Sequence, residues 1–283
     1  MTGSTEPIVQ RFAAFSDGNV GGNLAGVVIV ERMLPDDEMQ RIAAEVGYSE
    51  TVFAAPEENG WRVRYFAPAC EVAFCGHATI ALGAALARSR GDGTYSLTLN
   101  HGRISVQGRS EKGGIGATLV SPPTRSHPAD PELVADALNL FGFVLSDLDP
   151  SLPPAIANAG NDHLILVLRD RTRLSSMAYD LERGATFMSN HGLTTISLLH
   201  VETPRLFHSR NAFAIGGVAE DPATGAAAAA LAGYLRDLVW PHGGAIDIVQ
   251  GEDMGARSLL HAEIPNQSGS GILVSGSVRA IST

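Results

Sequence analysis

Lysine is almost missing from this chain, because only Lys112 among the 20 cationic residues is a lysine. It lies in the segment Ser-Glu-Lys-Gly-Gly, which is typical of a hairpin tip. A pyridoxal phosphate enzyme needs a buried lysine that can lose its proton and form a Schiff base. Cysteine is equally scarce, and Cys70 and Cys75 alone cannot build a disulfide framework or a four-thiolate zinc site. These absences argue against that cofactor and against a cysteine-built scaffold.

Positive charge and long apolar runs are also lacking. The net charge of −10 argues against nucleic acid or an anionic membrane as the partner, since neither would be attracted. The sequence has no uncharged apolar stretch of membrane length and no apolar signal segment behind Met1. We therefore expect a cytoplasmic protein.

The length of 283 residues favours two domains over one, because single cores stop growing near this size. The polar, proline-rich stretch 122–131 is the best linker candidate. We predict an N-terminal domain over residues 1–124 and a C-terminal domain over 125–270. The last strand, 271–283, is a candidate to complete the first domain.

A repeated segment is the most informative feature of the sequence. Residues 73–79, Ala-Phe-Cys-Gly-His-Ala-Thr, return in weaker form as residues 220–226, Glu-Asp-Pro-Ala-Thr-Gly-Ala, with Gly76 aligned on Gly225. Each copy places polar groups and a glycine before a helix that is apolar all round, which predicts burial in a domain centre. The first turn of such a helix offers free N–H groups and a positive dipole end. We expect two anion-holding half-sites that face each other across a cleft.

A second repeat supports an internal duplication. Gly22-Asn23 before the apolar run 27–30 resembles Gly160-Asn161 before the run 164–168. The offset is 138 residues here and 149 for the helices, and the order is kept. The two asparagines either line the cleft with their amides or fill turn positions.

Hydrophobic periodicity predicts strands and one central apolar helix in each half. The predicted fold class is α+β, with two pseudo-symmetric domains, each a curled, mostly antiparallel sheet wrapped around a central apolar helix. The sequence has no glycine-rich dinucleotide motif after a strand and no phosphate-binding loop with its lysine. The main predicted elements are strands at 8–15, 48–55, 61–66, 95–99, 103–107, 115–120, 163–168, 194–201, 205–214, 245–250, 257–264 and 271–281, a glycine-rich turn at 18–26, and helices at 36–46, from 76 to about 88, from 131 to 140, within 174–190 and after 225.

Glu50 is the first candidate for chemistry. Strand alternation places it on the same face as Val52 and Ala54. An apolar face disfavours the charged form of a carboxylate, which suits proton transfer. The alternative is a strand-end glutamate that reaches solvent or pairs with an arginine such as Arg64.

Three further candidates lie at the two helix starts. His77 occupies a first turn, where the helix dipole disfavours its protonated form and suits a hydrogen-bonding or proton-relaying imidazole. Asp221 precedes the second helix, where an N-cap is the default role for aspartate. Cys75 stands at a helix end that favours a thiolate, but no second thiol occurs near Gly225 to complete a two-base pair.

These segments together resemble the phenazine-biosynthesis PhzF-like isomerase family, which belongs to the larger diaminopimelate epimerase-like fold. The matching segments span nearly the whole chain in the family's order. They are 21–27 (Gly-Gly-Asn-Leu-Ala-Gly-Val), 49–51 (Ser-Glu-Thr), 66–68 (Phe-Ala-Pro) with Glu71, 75–79 (Cys-Gly-His-Ala-Thr), Ser209-Arg210 and 220–225 (Glu-Asp-Pro-Ala-Thr-Gly).

The resemblance implies a homodimer, no cofactor, no metal, and an active site in the cleft between the two domains. It further implies that Glu50 moves a proton within a small carboxylate-bearing metabolite similar to trans-2,3-dihydro-3-hydroxyanthranilate, while His77 and Asp221 hold and polarise it. The other residues that the resemblance implies for substrate binding are Asn23, Gly76, Thr79, Gly225 and Ala226, with Cys75 as a further candidate.

Two departures from the family pattern concern the substrate. Ala226 stands where the family often has serine, which removes one hydroxyl donor for a substrate carboxylate. The segment Cys75-Gly76-His77-Ala78 replaces the Ala-Gly-His-Pro of the phenazine-precursor enzyme. Family membership therefore leaves the physiological substrate open.

Two alternative functions remain open from the sequence. An amino-acid racemase or epimerase that uses Cys75 predicts α-hydrogen exchange that is lost in Cys75→Ala and survives in Glu50→Gln. A non-catalytic small-ligand-binding or scaffold protein predicts ligand-dependent stabilisation without turnover.

Overall fold

The computed structural model describes residues 7–111 and 114–282, so the predicted hairpin tip at Lys112 lies outside the described residues. The chain divides into two compact units, one formed by Met1–Val120 with Ser275–Thr283 and the other by Ser121–Val274. None of the helices in the described part is long and apolar enough to cross a bilayer.

Strands dominate both units. In chain order they are β1 (Val9–Ala14), β2 (Asn23–Ile29), β3 (Glu50–Glu57), β4 (Gly60–Phe66), β5 (Glu71–Val72), β6 (Gly93–Leu99), β7 (Gly102–Glu111), β8 (Gly114–Val120), β9 (Arg125–Pro128), β10 (Ala155–Asn158), β11 (Asp162–Leu168), β12 (Thr195–Thr203), β13 (Leu206–Ala212), β14 (Glu220–Asp221), β15 (Ala245–Gln250), β16 (Ser258–Glu263) and β17 (Leu273–Ala280). The helices are α1 (Asp36–Val46), α2 (Gly76–Arg90), α3 (Pro131–Phe141), α4 (Arg171–Ser175), α5 (Leu181–Asn190) and α6 (Gly225–Asp237).

The sheet of the first unit closes into a barrel. The strands pair in the order β1–β2–β3–β4–β6–β7–β8–β17, and β17 returns to β1. The pairs β2–β3 and β4–β6 are parallel, whereas β1–β2, β3–β4, β6–β7, β7–β8 and β17–β1 are antiparallel, so the sheet is mostly antiparallel as predicted. Closure gives each of these strands a paired neighbour on both sides.

Helix α2 fills this barrel. Every residue from His77 to Ala87 is buried, and most of them are alanine, glycine or another small or apolar residue, so the helix has no polar face to turn outward. Small side chains also let the backbones meet. A Cβ atom on Gly108 of β7 would lie 2.1 Å from the carbonyl oxygen of Gly83 in α2. The sequence prediction of a central apolar helix is confirmed.

Helix α1 packs on the sheet of this unit through Met39, Ile42 and Ala43. These side chains join Phe53 and Phe66 in a separate apolar cluster with Val28. The three acidic residues in the first turn of α1 suit its positive end, and the helix occupies the predicted range.

The second unit repeats the arrangement around α6. Its strands run in the order β9–β10–β11–β12–β13–β15–β16, and α6 contacts β9, β10, β11, β15 and β16. Helix α6 is buried along most of its length. A further core lies between the sheet and helices α3 and α5, and Asp130 caps α3 as predicted by accepting a hydrogen bond from the Glu132 amide.

Two local predictions are corrected. The linker candidate 122–131 contains strand β9, which pairs with the unpredicted strand β10 and places Pro128 opposite Ala155. Because proline lacks an amide donor, it is tolerated at such a strand end. The glycine-rich turn ends at Gly22, and β2 begins at Asn23.

The helix predicted within 174–190 is α5, which Asp180 caps. The short helix α4, which Asp170 caps, precedes it and was not predicted.

The contact between α2 and β7 predicts that Gly108→Ala destabilises the protein by roughly 2 kcal/mol or more, since the added methyl group overlaps a helix carbonyl. Gly93→Ala is the matched control, because Gly93 pairs with Gly108 across β6 and β7 and its Cβ atom would meet nothing closer than 4.0 Å. Its effect should stay within about 0.5 kcal/mol. Urea unfolding measures both, and equal midpoints for the two variants would contradict the close contact.

Candidate active site

Glu50 begins strand β3, directly after the turn that follows α1. Its side chain is only 14% exposed. Oxygen Oε2 is buried and has no hydrogen-bond partner among the described residues. Val52 and Ala54, which the sequence analysis placed on the same face of the strand as Glu50, are fully buried.

His77 lies beside Glu50 in the first turn of α2. Its Nε2 is 3.4 Å from Glu50 Oε2 and 3.4 Å from Ser49 Oγ. The other ring nitrogen, Nδ1, is 3.2 Å from Asn23 Nδ2 at the start of β2. Three residues that the sequence analysis named, Asn23, Glu50 and His77, therefore lie together within the first unit. Ser49 was quoted there only as part of the family motif.

Cys75 adds a thiol to the same cluster. It precedes α2 in an extended conformation, and its Sγ lies 3.3 Å from His77 Nδ1. Cys75 is buried, whereas Cys70 is exposed. Each of the residues Glu50, Cys75 and His77 offers one possible ligand atom. These three atoms lie within 4.8 Å of one another, which is close enough to hold a metal ion.

Thr79 ties the start of α2 to the barrel wall. Its hydroxyl donates to the Cys75 carbonyl at 2.7 Å and lies 2.7 Å from the Tyr65 hydroxyl. Burial raises the pKa of Tyr65 well above its ordinary value, so this phenol stays a hydrogen-bond donor. The sequence analysis placed Thr79 among the substrate-binding residues and did not consider Tyr65. The alternation of Val63 and Tyr65 with two arginines along β4 was the available signal.

The second motif forms a hydrogen-bonded network in the second unit. Asp221 is buried in the short strand β14, and its Oδ2 accepts from the Thr224 hydroxyl. Asn211 Nδ2 donates to the same hydroxyl at 2.7 Å, and Gln250 Nε2 donates to the Asp221 carbonyl at 2.7 Å. Sequence reasoning missed Asn211, which pairs with Asp221 across β13 and β14, and Gln250 at the end of β15. Gly225 and Ala226, both predicted to bind substrate, form the first turn of α6.

Strand register supports the internal duplication. With the 138-residue offset, Ala25 in β2 corresponds to His163 in β11. Their parallel partners are Glu50 in β3 and Thr195 in β12. The position equivalent to Glu50 in the second unit thus carries a threonine.

The helix starts differ in the same way. With Gly76 aligned on Gly225, the position equivalent to His77 is Ala226. Asn23 is buried, whereas its counterpart Asn161 is exposed. Neither the Glu50 carboxylate nor the His77 imidazole has a titratable residue at the equivalent position of the second unit, where Thr195 and Ala226 stand.

One bidentate ion pair precedes each motif. Arg64 Nε and Nη2 lie 2.7 Å and 2.6 Å from the two carboxylate oxygens of Glu71. The guanidinium lowers the pKa of Glu71 below its ordinary value. Arg210 binds both oxygens of the buried Glu220 in the same manner. Each pair joins a long strand to the short strand that leads into the motif, so these arginines fix the entry of each central helix. Arg64 is therefore engaged by Glu71 rather than by Glu50.

Comparison with known proteins decides the family. The family model described as phenazine biosynthesis-like protein matches residues 12–281. The chain belongs to the PhzF-like family. A Deinococcus radiodurans relative named an uncharacterized isomerase is 34% identical over 82% of this chain and 77% of its own. The trans-2,3-dihydro-3-hydroxyanthranilate isomerase of Pseudomonas fluorescens is 30% identical over 88% of this chain and 87% of its own. The PhzF-like relatives are named isomerases, which confirms the predicted enzyme class.

Solved structures confirm the fold. The Bacillus anthracis phenazine biosynthesis protein of the PhzF family superposes on 97% of this chain and 96% of its own, with a TM-score of 0.83 at 23% identity. This PhzF-like chain therefore has the diaminopimelate epimerase-like fold that the sequence predicted.

The second unit of the PhzF-like chain carries a pH-sensitive core histidine. His163 is fully buried beside Thr195, with Nδ1 2.7 Å from the threonine hydroxyl. Burial lowers the pKa of His163 from 6.5 to about 4. Between pH 6.5 and 4 the unfolded chain therefore binds a proton that the folded chain does not, and stability falls as the pH falls.

We predict that His163 removes on the order of 3 kcal/mol of stability between pH 7 and 4. His163→Gln, which cannot titrate, should flatten the pH dependence of urea unfolding over this window by that amount. The control His101→Gln removes an exposed imidazole and should leave the curve unchanged. Parallel curves for wild type and His163→Gln would contradict the assignment.

Proposed function

We propose that this PhzF-like chain is a cofactor-independent isomerase that moves a proton within a small carboxylate-bearing metabolite. The substrate class is similar to trans-2,3-dihydro-3-hydroxyanthranilate, the compound in the name of the Pseudomonas fluorescens relative. The observation that carries the proposal is the buried carboxylate oxygen of Glu50, which has no hydrogen-bond partner among the described residues and lies beside His77.

Glu50 acts as the single acid and base. Its carboxylate takes a proton from one ring carbon, and the electron pair of the broken C–H bond enters the neighbouring conjugated system. The protonated Glu50 then returns the proton to another carbon on the same face, which shifts the double bonds and leaves an enol. Loss of the enol hydroxyl proton and protonation at carbon then give the ketone. No group is oxidised or reduced, so the step needs no electron carrier.

A single base is consistent with the divergence of the two units. A two-base racemase would need a second acid–base group at the equivalent helix start, where Thr224 aligns with Cys75. A threonine hydroxyl stays protonated near neutral pH, unlike a cysteine thiol that can form a thiolate. It is therefore a poor second base for a mechanism that uses Cys75. This comparison favours Glu50 over Cys75 as the proton-transfer group.

His77 holds the carboxylate in place and assists substrate binding. When Nδ1 accepts from Asn23 Nδ2, the ring proton resides on Nε2, which faces Glu50 Oε2 at 3.4 Å. The N-terminal end of α2 attracts a substrate carboxylate. For Asp221, a role in holding and polarising the substrate stays a prediction from the family resemblance, as does assembly into a homodimer.

The test is proton NMR in D₂O with trans-2,3-dihydro-3-hydroxyanthranilate. Wild type should introduce deuterium at one ring carbon as it forms product. Glu50→Gln should lower kcat by about 10³, in the range that general acid–base catalysis contributes. The matched control is Glu57→Gln at the exposed far end of the same strand, which should retain wild-type turnover.

The outcomes separate the competing functions. Equal turnover by Glu50→Gln and wild type would remove Glu50 from the chemistry. Exchange of an amino-acid α-hydrogen that depends on Cys75 would establish a racemase. Stabilisation by the substrate without turnover in wild type would favour a binding protein.

A further inference from the structure

The proposed proton transfer gives the Cys75 thiol no task, although the thiol is buried next to the two residues that it uses. Its Sγ lies 3.3 Å from His77 Nδ1 and 3.9 Å from Nε2. Helix position alone does not require a cysteine here, since its counterpart before α6 is Thr224. A thiol, an imidazole and a carboxylate that lie this close together are the side-chain groups that bind transition-metal ions.

The distances fit a tetrahedral metal ion. Ordinary Zn–S, Zn–N and Zn–O bond lengths place tetrahedral ligands about 3.4 Å apart for nitrogen and oxygen, and about 3.6 Å apart for sulfur and nitrogen. The corresponding separations are 3.4 Å between His77 Nε2 and Glu50 Oε2, and 3.9 Å between Nε2 and Cys75 Sγ. The Cys75 sulfur and the Glu50 carboxylate oxygen are at most 4.8 Å apart, so the thiol has to move towards the carboxylate when the ion binds.

The donor set selects a thiophilic cation. Thiolate and imidazole ligands suit Zn²⁺ and Co²⁺, whereas Mg²⁺ and Ca²⁺ require oxygen ligands. Glu50 Oε2 is already buried without a hydrogen-bond partner among the described residues, so a cation would satisfy it. Three protein ligands leave a fourth position for water.

Asn23 can orient the imidazole for a metal. Metal-bound histidines commonly donate their second ring N–H to a neighbouring acceptor. Asn23 lies 3.2 Å from His77 Nδ1. A half-turn of its amide presents oxygen to Nδ1–H and leaves the lone pair of Nε2 for the ion.

We propose that Glu50, Cys75 and His77 form a binding site for one Zn²⁺ ion, which competes with substrate and reversibly inhibits the enzyme. The ion occupies the carboxylate that would otherwise take the substrate proton. The inhibitory consequence rests on the proposed function, whereas the binding does not.

The binding test uses Co²⁺ absorption and Zn²⁺ calorimetry on the chelator-treated full chain. Wild type should bind one ion and develop the near-ultraviolet charge-transfer band of a cobalt–thiolate bond. Cys75→Ser should lose the band and bind Zn²⁺ at least tenfold more weakly, because loss of even a supporting residue commonly costs that much. Cys70→Ser is the matched control, since Cys70 is exposed and outside the cluster, and it should behave as wild type.

The same measurements can overturn the site. Absence of stoichiometric binding by wild type, an unchanged band in Cys75→Ser, or its loss in Cys70→Ser would each contradict it. His77→Gln gives an independent arm should Cys75→Ser unfold, and it too should bind at least tenfold more weakly. Far-ultraviolet circular dichroism identifies any variant that fails to fold.

The inhibition test is separate. Zn²⁺ should raise the apparent KM of wild type without lowering kcat, and a chelator should restore it. Binding without inhibition of an active isomerase would overturn the competition with substrate and leave the metal site standing. An inactive wild type that still binds one ion would refute the proposed function alone.

Discussion

The burial of α2 inside a closed barrel is the constraint on which the rest of the first unit depends. The helix is built mostly from small residues, and its backbone meets that of β7 at Gly83 and Gly108. Such a contact leaves no room for the helix to slide or turn. Its first turn must then lie at a fixed place on the barrel, which puts His77 against Glu50 at the start of β3. The packing of the core therefore determines the geometry of the candidate active site.

Divergence between the two repeats explains why the glutamate–histidine pair lies in one unit. Both units keep a buried helix behind a glycine and a bidentate arginine–glutamate pair at its entry. At the equivalent strand position, however, Glu50 is replaced by Thr195, which contacts the core histidine His163. The second unit instead surrounds Asp221 with amide and hydroxyl groups. The two units therefore share one fold and differ in the side chains that stand at equivalent backbone positions.

Local sequence patterns predicted much of this structure. The elements and residues that were missed depend on which strands pair with one another. The α1 range was predicted fully, because an acidic start, helical spacing and Gly47 all mark it within one window. The buried helix α2 and the shared strand face of Glu50, Val52 and Ala54 followed from patterning as well. Strands β9 and β10 were missed because strands of four residues are too short to show a clear period. Tyr65, Asn211 and Gln250 entered the site regions through strand pairing and register, which the local pattern of apolar residues does not reveal.

In the proposed mechanism, one carboxylate that is sheltered from solvent both removes and returns the substrate proton. The most direct test is substrate deuterated at the departing position, followed through a single turnover in ordinary water. Because Glu50 Oε2 is buried, we predict that part of the label reappears at the receiving carbon on the same face. Complete loss of the label to solvent, or its delivery to the opposite face, would contradict a single-base mechanism at Glu50.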